Sequence, residues 1–346
     1  MQGEKEKKRN FKYFVGIDVS KNELDYAVMS GKVLLFHHES KNEPKAIIEF
    51  IEKLRELPGF TFAKSMFCME NTGIYCNHLL QILKTKKAFI VVESPLQIKN
   101  SIGITRGKND KDDAIRIATY AQTYSDELRP WIPKRTIVSD LHALATLRDR
   151  LLSVILVLRT PLKEQAFFLD RTRVKLYGKL SKNGIDAVKS DLKEVDRSIE
   201  QLINADEHLK KLNTIITSVP YVGAITAVRI IITTNEFKDI NCPKKFACYA
   251  GVAPFKKESG LIIRKARVSH IANKKVKKLL HMCAINAVRF DSELRSYYEK
   301  KTVTEGKSKM LVINAVRNKL IARIFACVNQ DRYFQKDYQG ITHSSK

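Results

Sequence analysis

Short apolar runs separated by polar turns dominate about the first 125 residues of the chain. Runs at 13–19, 24–30 and 33–38 are long enough for strands, and the turns at 20–22 and 30–32 are tight. The segment 44–56 instead spaces its apolar residues as a helix does: Ile47, Ile48, Phe50, Ile51 and Leu54. A strand at 64–70, a helix at 74–85, a strand at 88–92, a chain break at Ser94-Pro95 and a helix starting near Asp110 follow. This order predicts a mixed α/β sheet.

From about residue 137 to 217 the apolar positions keep to helical spacing. One stripe, which Pro161 is expected to bend or break, comprises Leu141, Leu144, Leu147, Leu151, Ile155 and Leu158. After Gly184 the steps alternate between three and four residues, as in a coiled-coil seam interrupted near Ala205-Asp206: Val188, Leu192, Val195, Ile199, Leu202, Leu209, Leu212 and Ile216. A helical hairpin within one chain would give the same pattern. We favour self-association through this region.

The last part of the chain, about 213–330, is expected to be compact and mainly α. The segment 218–223 resembles a helix-hairpin-helix turn, in which glycine lets the backbone approach a phosphate, although a plain helical turn fits equally well. One later stretch carries nine cations against a single acid, Glu258: Lys256, Lys257, Arg264, Lys265, Arg267, Lys274, Lys275, Lys277 and Lys278. A solvated face is the alternative, but this density favours binding to a phosphate backbone.

The charge of the chain narrows the class of partner. Its 346 residues include 62 Lys and Arg against 37 Asp and Glu, a net charge of +25. An excess of this size indicates a polyanionic partner or an acidic membrane face. No apolar run reaches the roughly 18–20 residues of a membrane span, and residues 1–10 are charged with no apolar segment behind them, unlike a signal peptide. Nucleic acid is therefore the expected partner, and a membrane is not.

The six cysteines do not suggest a metal site or a disulfide framework. None forms a Cys-x-x-Cys pair, and several lie within apolar runs. We expect reduced thiols in a cytoplasmic protein.

Four carboxylates stand where predicted strands end or a helix begins. Asp18 follows the apolar run 13–17, Glu70 ends the run 66–69, and Asp110 and Asp113 lie three apart, on one face of the final helix. A carboxylate against a buried strand is unfavourable unless a cation or donors compensate it, and Mg²⁺ prefers oxygen ligands. The element order fits the ribonuclease-H-like architecture, whose acidic active site lies at central strand ends. We therefore predict that the four acids bind Mg²⁺ together. Helix capping or complementation of the helix dipole by Asp110 and a turn role for Asp18 stay open.

Three segments around these acids resemble the signature blocks of DEDD-type insertion-sequence transposases, the family that includes Piv-type DNA invertases and bridge-RNA-guided recombinases. They are the segments 16–21 (Gly-Ile-Asp-Val-Ser-Lys), 70–75 (Glu-Asn-Thr-Gly-Ile-Tyr) and 109–114 (Asn-Asp-Lys-Asp-Asp-Ala). The segments 218–223, 249–254 and 258–260 resemble the same family, so the likeness covers almost the whole chain. One departure is visible in the usual Pro-Gly-(Ile/Val)-Gly turn, where Tyr221 replaces the first glycine. Another is Pro161 in the helical middle.

The resemblance implies a residue role that the spacing alone does not show. Ser259 matches the family's nucleophile, so it is expected to attack a DNA phosphate and form a transient phosphoserine link, completing a composite site with the acids. A serine hydroxyl needs a base or a metal to become a good nucleophile. Without the resemblance, a turn role before Gly260 explains Ser259 equally well.

The resemblance also implies the rest of the organisation. A RuvC-like catalytic domain over 1–130, a coiled-coil oligomerisation region over 131–212 and a C-terminal transposase domain over 213–346 are expected. The active protein would bind two Mg²⁺ ions, with Mn²⁺ as a substitute. It would act on donor and target DNA as a dimer or tetramer in the prokaryotic nucleoid, guided by a structured noncoding RNA.

Two other functions are compatible with parts of the sequence. A RuvC-like junction endonuclease would use activated water in place of Ser259 and form no covalent intermediate. A nucleic-acid-binding regulator on an inactive nuclease fold would need none of the acids, and their complete set argues against it.

Overall fold

The computed structural model of the protein describes residues 10–103, 109–259, 262–269 and 271–336, without the side chains at 102, 256–259 and 262–266. The chain divides into two compact units, residues 1–133 and 134–346. The three-domain division at 130 and 212 stays a prediction. In the part of the chain that is described, no helix combines the length and the apolar character needed to cross a membrane.

The first unit is a five-stranded sheet with helices on both faces. Its strands are β1 (Tyr13–Val19), β2 (Glu23–Ser30), β3 (Val33–Lys41), β4 (Ser65–Glu70) and β5 (Phe89–Glu93), and its helices are α1 (Pro44–Arg55), α2 (Asn77–Thr85), α3 (Pro95–Ile102) and α4 (Asp110–Thr123). The strands lie in the order β3-β2-β1-β4-β5. The pairs β1/β2 and β2/β3 are antiparallel, whereas β1/β4 and β4/β5 are parallel. The mixed α/β sheet predicted from the sequence is confirmed.

Alternate side chains of the strands pack into two cores, one on each face of the sheet. Val15 and Ile17 of β1 pack with Phe50 of α1 on one face. Phe14 of β1 packs beneath α4, against a cluster that includes Ile117, on the other face. Asp18 lies on the same face of β1 as Phe14, so its side chain points toward α4.

Gly16 determines how closely α4 approaches the sheet. A Cβ atom at this position would lie 2.2 Å from the backbone nitrogen of Ala118 and 2.3 Å from the carbonyl oxygen of Ala114. No side chain fits in that space, so α4 can rest directly on β1 only because residue 16 is glycine. Because Asp18 lies two residues further on the same face, this approach brings the start of α4 close to Asp18.

The strand β5 ends at Glu93, directly before the predicted chain break at Ser94-Pro95, but the helix that follows was not predicted. Pro95 is the first residue of this helix, α3. Proline suits this position because its φ angle is already helical and its missing N–H would have had no partner there.

The second unit is mainly helical. Its elements are α5 (Thr136–Phe168), α6 (Arg171–Ala205), α7 (Glu207–Ser218), α8 (Ala224–Thr234), α9 (Pro243–Tyr249), β6 (Pro254–Ser259), β7 (Ile262–Val268), α10 (Lys274–Phe290), α11 (Ser292–Glu299), a π-helical turn at Lys300–Thr304 and α12 (Lys309–Asn329). Its largest core joins α7, α8, α9, α10 and α12 around residues such as Ile216, Phe246 and Phe325. The antiparallel pair β6/β7 falls in the basic stretch, where the sequence had suggested no strands.

Two long helices, α5 and α6, are joined by only two residues and pack against each other. The helical hairpin within one chain, which the sequence pattern left open, is therefore present. Val195 and Ile199 of the predicted seam pack with Leu141 and with Val228 of α8, so part of the seam is used inside the chain. Self-association stays a prediction. The expected break at Pro161 does not occur, because α5 continues through it to Phe168.

The turn between α7 and α8 contains Tyr221 in left-handed backbone conformation, with φ +68°. The resemblance led us to expect glycine at position 221, and the left-handed backbone there does favour glycine. A residue with a side chain in this conformation costs about 1–2 kcal/mol.

We expect Tyr221→Gly to be more stable than Tyr221→Ala by about 1 kcal/mol, because both variants lose the ring but only alanine keeps the backbone strain. Urea unfolding of the two variants measures this difference. An alanine variant as stable as the glycine variant would contradict it.

Candidate active site

Parallel pairing of β1 with β4 brings the carboxyl ends of both strands to one edge of the sheet. Asp18 is the next-to-last residue of β1, and Glu70 is the last residue of β4. The first turn of α4 carries Asp110 and Asp113. The four predicted acids therefore lie on elements that meet at this edge.

Three of these acids form a compact cluster. Asp18, Asp110 and Asp113 each contribute one carboxylate oxygen, and these three oxygens lie within 4.8 Å of one another. Asp18 and Asp113 are half-buried, and Asp110 is exposed. Helix capping does not account for Asp110, since the N-cap of α4 is Asn109, whose Oδ1 accepts a 3.0 Å hydrogen bond from the backbone nitrogen of Lys111.

The cluster carries more negative charge than its surroundings compensate. Burial raises the pKa of Asp18, and the neighbouring carboxylates of Asp113 and Asp110 raise it further. Burial likewise raises the pKa of Glu70, followed by the charges of Asp18 and Asp113. Raised pKa values mean that ionising these groups together is unfavourable without a cation. Three carboxylate oxygens at this spacing, partly shielded from water, suit a divalent metal ion.

Glu70 stands slightly apart from the other three acids. Its carboxylate is not among the oxygens within 4.8 Å of one another, but the influence of Asp18 and Asp113 on its pKa shows that it faces the same cluster. Arg116, one turn further along α4, places Nη1 3.1 Å from Oδ1 of Asp113 and lowers the pKa of Glu70. Sequence reasoning missed this partial counter-charge, although its i, i+3 spacing from Asp113 is a recognisable signal.

Two further acids near this edge were not predicted. Glu93 ends β5 directly beside Glu70 in the parallel register, and burial raises its pKa. It ends an apolar run, as Glu70 does, so the same rule applied to residues 88–92 would have found it. Asp25 lies opposite Asp18 in the β1/β2 register, and its Oδ1 is 2.8 Å from Nε2 of His37.

Ser259 is the last residue of β6 and pairs in backbone register with Ile262. Its side chain lies outside the described residues, as do those of Lys256, Lys257, Arg264 and Lys265. Of the other predicted phosphate-binding residues, Arg267, Lys274 and Lys278 are exposed and Lys277 is half-buried. Lys275 is exposed too, but its Nζ lies 2.7 Å from Oδ2 of Asp149, so part of its charge is already neutralised.

Comparison with known proteins places the chain in a family. A family model described as "Transposase", of the DEDD type from IS110 elements, matches residues 15–164. A second, described as "Transposase IS116/IS110/IS902 family", matches residues 213–299. The first match contains the four predicted acids Asp18, Glu70, Asp110 and Asp113, and the second match contains Ser259.

Individual relatives agree with the family models. The pilin gene-inverting protein of Moraxella lacunata is 26% identical over 331 residues, covering 94% of this chain and 98% of that protein. Its counterpart from Moraxella bovis is 25% identical over the same shares. A 43.6 kDa protein of insertion element IS110 from Streptomyces coelicolor is 26% identical over 142 residues, 41% of this chain and 35% of that protein.

Among solved structures, T. thermophilus RuvC in complex with a Holliday junction substrate aligns with a TM-score of 0.27 and 14% identity, covering 34% of this chain and 99% of that one. The family assignment does not depend on this alignment. Two models of the same transposases match successive parts of the chain, and relatives match it almost from end to end. The chain belongs to the IS110 family of transposases, enzymes that cleave and recombine DNA.

Proposed function

We propose that this protein is a site-specific DNA recombinase that excises an insertion sequence and integrates it at another DNA site. The observation that carries the proposal is the cluster of Asp18, Asp110 and Asp113 at the edge of the sheet, in a chain of a transposase family. The Moraxella relatives are named for inverting a gene. Inversion and insertion are two outcomes of the same strand exchange, which differ in how the DNA sites are arranged.

The acids would hold Mg²⁺, as one ion or a pair, with Mn²⁺ as a substitute. Asp18 lies at the end of β1, on the face that α4 covers, and would be the shared ligand, with Asp110, Asp113 and Glu70 around it. Metal bound there would neutralise charge on a DNA phosphate and favour ionisation of the attacking hydroxyl. Arg116 would keep Asp113 oriented through their 3.1 Å contact.

Ser259 would be the nucleophile. Its Oγ would lose a proton and bond to phosphorus, while one bond from phosphorus to a deoxyribose oxygen breaks and that oxygen takes up a proton. The phosphoserine link keeps the energy of the phosphodiester, so attack by a deoxyribose hydroxyl of another strand would rejoin the DNA and release Ser259. No external energy source is then required.

A structured noncoding RNA would guide the choice of sites by pairing with donor and target DNA. The net charge of +25 supports a large nucleic-acid contact of this kind. Sequence discrimination would then rest mainly on base pairing, and the protein would read backbone and shape. Assembly into a dimer or tetramer would let Ser259 of one copy meet the acids of another.

The test of the mechanism is Ser259→Ala in a reaction with labelled donor DNA and Mg²⁺. We expect wild-type protein to form a protein–DNA adduct that survives denaturation, and the variant to form neither adduct nor recombinant. Ser269→Ala is the matched control, because Ser269 lies in the same basic stretch and its hydroxyl accepts a hydrogen bond from the backbone nitrogen of Ile271. It should keep both activities.

Other outcomes of this experiment point elsewhere. Strand cleavage by wild-type protein without any adduct would identify a water-using endonuclease, a function that the gene-inverting relatives do not favour. An adduct that persists in Ser259→Ala would show that another residue is the nucleophile. Recombination that continues at full rate after removal of all copurifying RNA would refute RNA guidance.

A further inference from the structure

Arg317 is a buried cation that forms no ion pair with any residue the structure describes. It lies in the middle of α12, with only 5% of its surface exposed. The described residues bury three other charged side chains, and each has an ion pair: Asp25 with His37, Arg229 with Asp149 and Glu236 with Arg135. Within the described ranges, Arg317 has neutral partners only, and its Nε has none.

Such an arrangement is unfavourable for the protein alone. A guanidinium group stays protonated in proteins, so it cannot escape burial by losing its charge. Burial lowers the pKa of Arg317, and no carboxylate of the described ranges pairs with its charge. Removing a charge from water without a counter-charge is costly. A bound anion would supply the counter-charge that the described residues lack.

His281 on α10 is held as a second hydrogen-bond donor. Its Nδ1 lies 2.5 Å from Nη2 of Arg317. Arginine can only donate, so Nδ1 must accept and the imidazole proton must be on Nε2. Burial lowers the pKa of His281, and the charge of Arg317 lowers it further, which favours this neutral form. His281 therefore presents an N–H group and has no free nitrogen with which to take up a proton.

The surroundings of this pair add positive charge and reach the surface. Lys277 lies one helical turn before His281 on the same side of α10, with Nζ only 3.6 Å from where a Cβ of Gly251 would be. Asn314 accepts a 3.2 Å hydrogen bond from Arg317 and donates a 2.6 Å bond to the carbonyl of Val252. The Sδ atom of Met310, a residue that is 60% exposed, lies 3.6 Å from Nη2 of Arg317, so the guanidinium contacts a side chain that reaches the surface.

We propose that Arg317, His281 and Lys277 form a binding site for a backbone phosphate of DNA within the second unit. Two N–H donors and two positive charges match the non-bridging oxygens of a phosphodiester. The site adjoins the loop at 251–253 that leads into β6, the strand that ends at Ser259. This inference rests on the proposed function for its choice of DNA. The three residues bind and position the phosphate, and none of them acts as nucleophile or base.

Thermal unfolding of the full chain in inorganic phosphate, against chloride at equal ionic strength, tests the site without DNA. We expect phosphate to raise the Tm of wild-type protein by roughly 2–5 °C and to leave Arg317→Met unchanged. In chloride, Arg317→Met should unfold at the wild-type temperature or above it, because methionine removes a buried unpaired charge. Arg229→Met is the matched control, since Arg229 is equally buried but donates to Asp149 at 2.9 Å. It should lower the Tm and keep the phosphate response.

Either of two outcomes would overturn the site. In the first, phosphate does not raise the Tm of the wild-type protein. In the second, phosphate raises the Tm of Arg317→Met as much as that of wild type. An Arg317→Met variant that loses stability in chloride and keeps the phosphate response would show that Arg317 is only structural.

A second measurement connects the site with DNA. Adduct formation should fall about 100-fold in Arg317→Met, while binding to duplex DNA, which many other cations support, stays near wild type. An undiminished adduct in this variant, together with its loss in Ser259→Ala, would sink the phosphate site and leave the proposed function intact. A wild-type protein without any adduct would remove the serine mechanism, and the phosphate response would still decide the site.

Discussion

Asp18→Asn is expected to reduce DNA strand cleavage by at least about a thousandfold while the protein stays folded. Asparagine keeps the shape of the side chain but removes one of the three carboxylates whose oxygens lie within 4.8 Å. A metal that contributes several kcal/mol to the transition state would then be lost or misplaced, and each 1.4 kcal/mol is about tenfold in rate. Cleavage of labelled donor DNA in Mg²⁺ measures the loss.

Asp18→Asn should lose cleavage activity without losing thermal stability. Without metal, removing this charge relieves the burial and the repulsion that raise the pKa of Asp18, so the variant should unfold at the wild-type temperature or above it. MgCl₂ should raise the Tm of wild-type protein by mass action and have little effect on the variant. This combination distinguishes a ligand from a residue that only supports the fold.

Asp112→Asn is the control for Asp18→Asn. Asp112 lies in the same first turn of α4, but it is exposed and does not belong to the cluster. It should keep cleavage and the Mg²⁺ response. Equal losses in both variants, or an Mg²⁺ response that survives in Asp18→Asn, would remove Asp18 from the metal site.

The first unit was predictable because its information is local. β1 is buried on both faces, so it reads as a continuous apolar run bounded by a tight polar turn. It was therefore placed at 13–19, and its polar end at Asp18 was visible. The start of α4 was equally clear from three acids in the first turn. What no local pattern gave is the reason that these ends meet, which is the direct contact of α4 with Gly16.

The helical middle shows where sequence patterns are ambiguous. A seam of apolar residues at steps of three and four requires a partner helix, but it does not say whether the partner is in the same chain. Asp170, the N-cap of α6, was not used in the sequence analysis; its Oδ1 accepts hydrogen bonds from the backbone nitrogens of Thr172 and Arg173. Taken as an N-cap, Asp170 predicts a turn between two helices and hence the hairpin.

The sequence does not show which distant charged residues pair with one another. Arg135 pairs with Asp206 and Glu236, which are 71 and 101 positions away. In a chain with 62 Lys and Arg, nothing distinguishes the few that pair with a buried carboxylate or become buried themselves. The same holds for Arg317 and its partner His281, 36 positions apart.

Arg135→Met is expected to destabilise the second unit by about 2–3 kcal/mol, less than the loss of a fully buried pair, because the side chain of Arg135 is itself 37% exposed. Arg135 donates to both carboxylate oxygens of Asp206, at 2.6 and 2.9 Å, and to Glu236 at 2.5 to 3.1 Å. It thereby joins the start of α5 and the α6/α7 junction to the turn after α8. The side chain of Glu236 is fully buried, so the variant leaves it with Lys238, at 2.8 Å, as its close cation.

The turn that Glu236 belongs to makes this loss larger. Asn235, Glu236 and Phe237 all have left-handed φ angles, between 50° and 64°. Each such residue costs about 1–2 kcal/mol, so the turn depends on the contacts that hold it. Urea unfolding of the full chain, followed by the far-ultraviolet circular dichroism of its long helices, measures the effect. Arg197→Ala is the control, because the Arg197–Glu194 pair is exposed on both sides, at 63% each, and should contribute less than about 1 kcal/mol.

The effect of Arg135 should also depend on pH in a defined direction. Hydrogen bonds from Arg135 lower the pKa of Asp206 to about 2. Burial alone would raise the pKa of Glu236, but hydrogen bonds from Arg135 and Lys238 hold it below its usual value. Folded-state pKa values below the unfolded ones stabilise the protein above about pH 4, and this stability is lost as the pH falls toward 2. The difference in unfolding free energy between wild type and Arg135→Met should therefore be full at pH 7 and shrink below pH 4. A difference that is the same at pH 3 and pH 7 would show that the ion pairs are not its source.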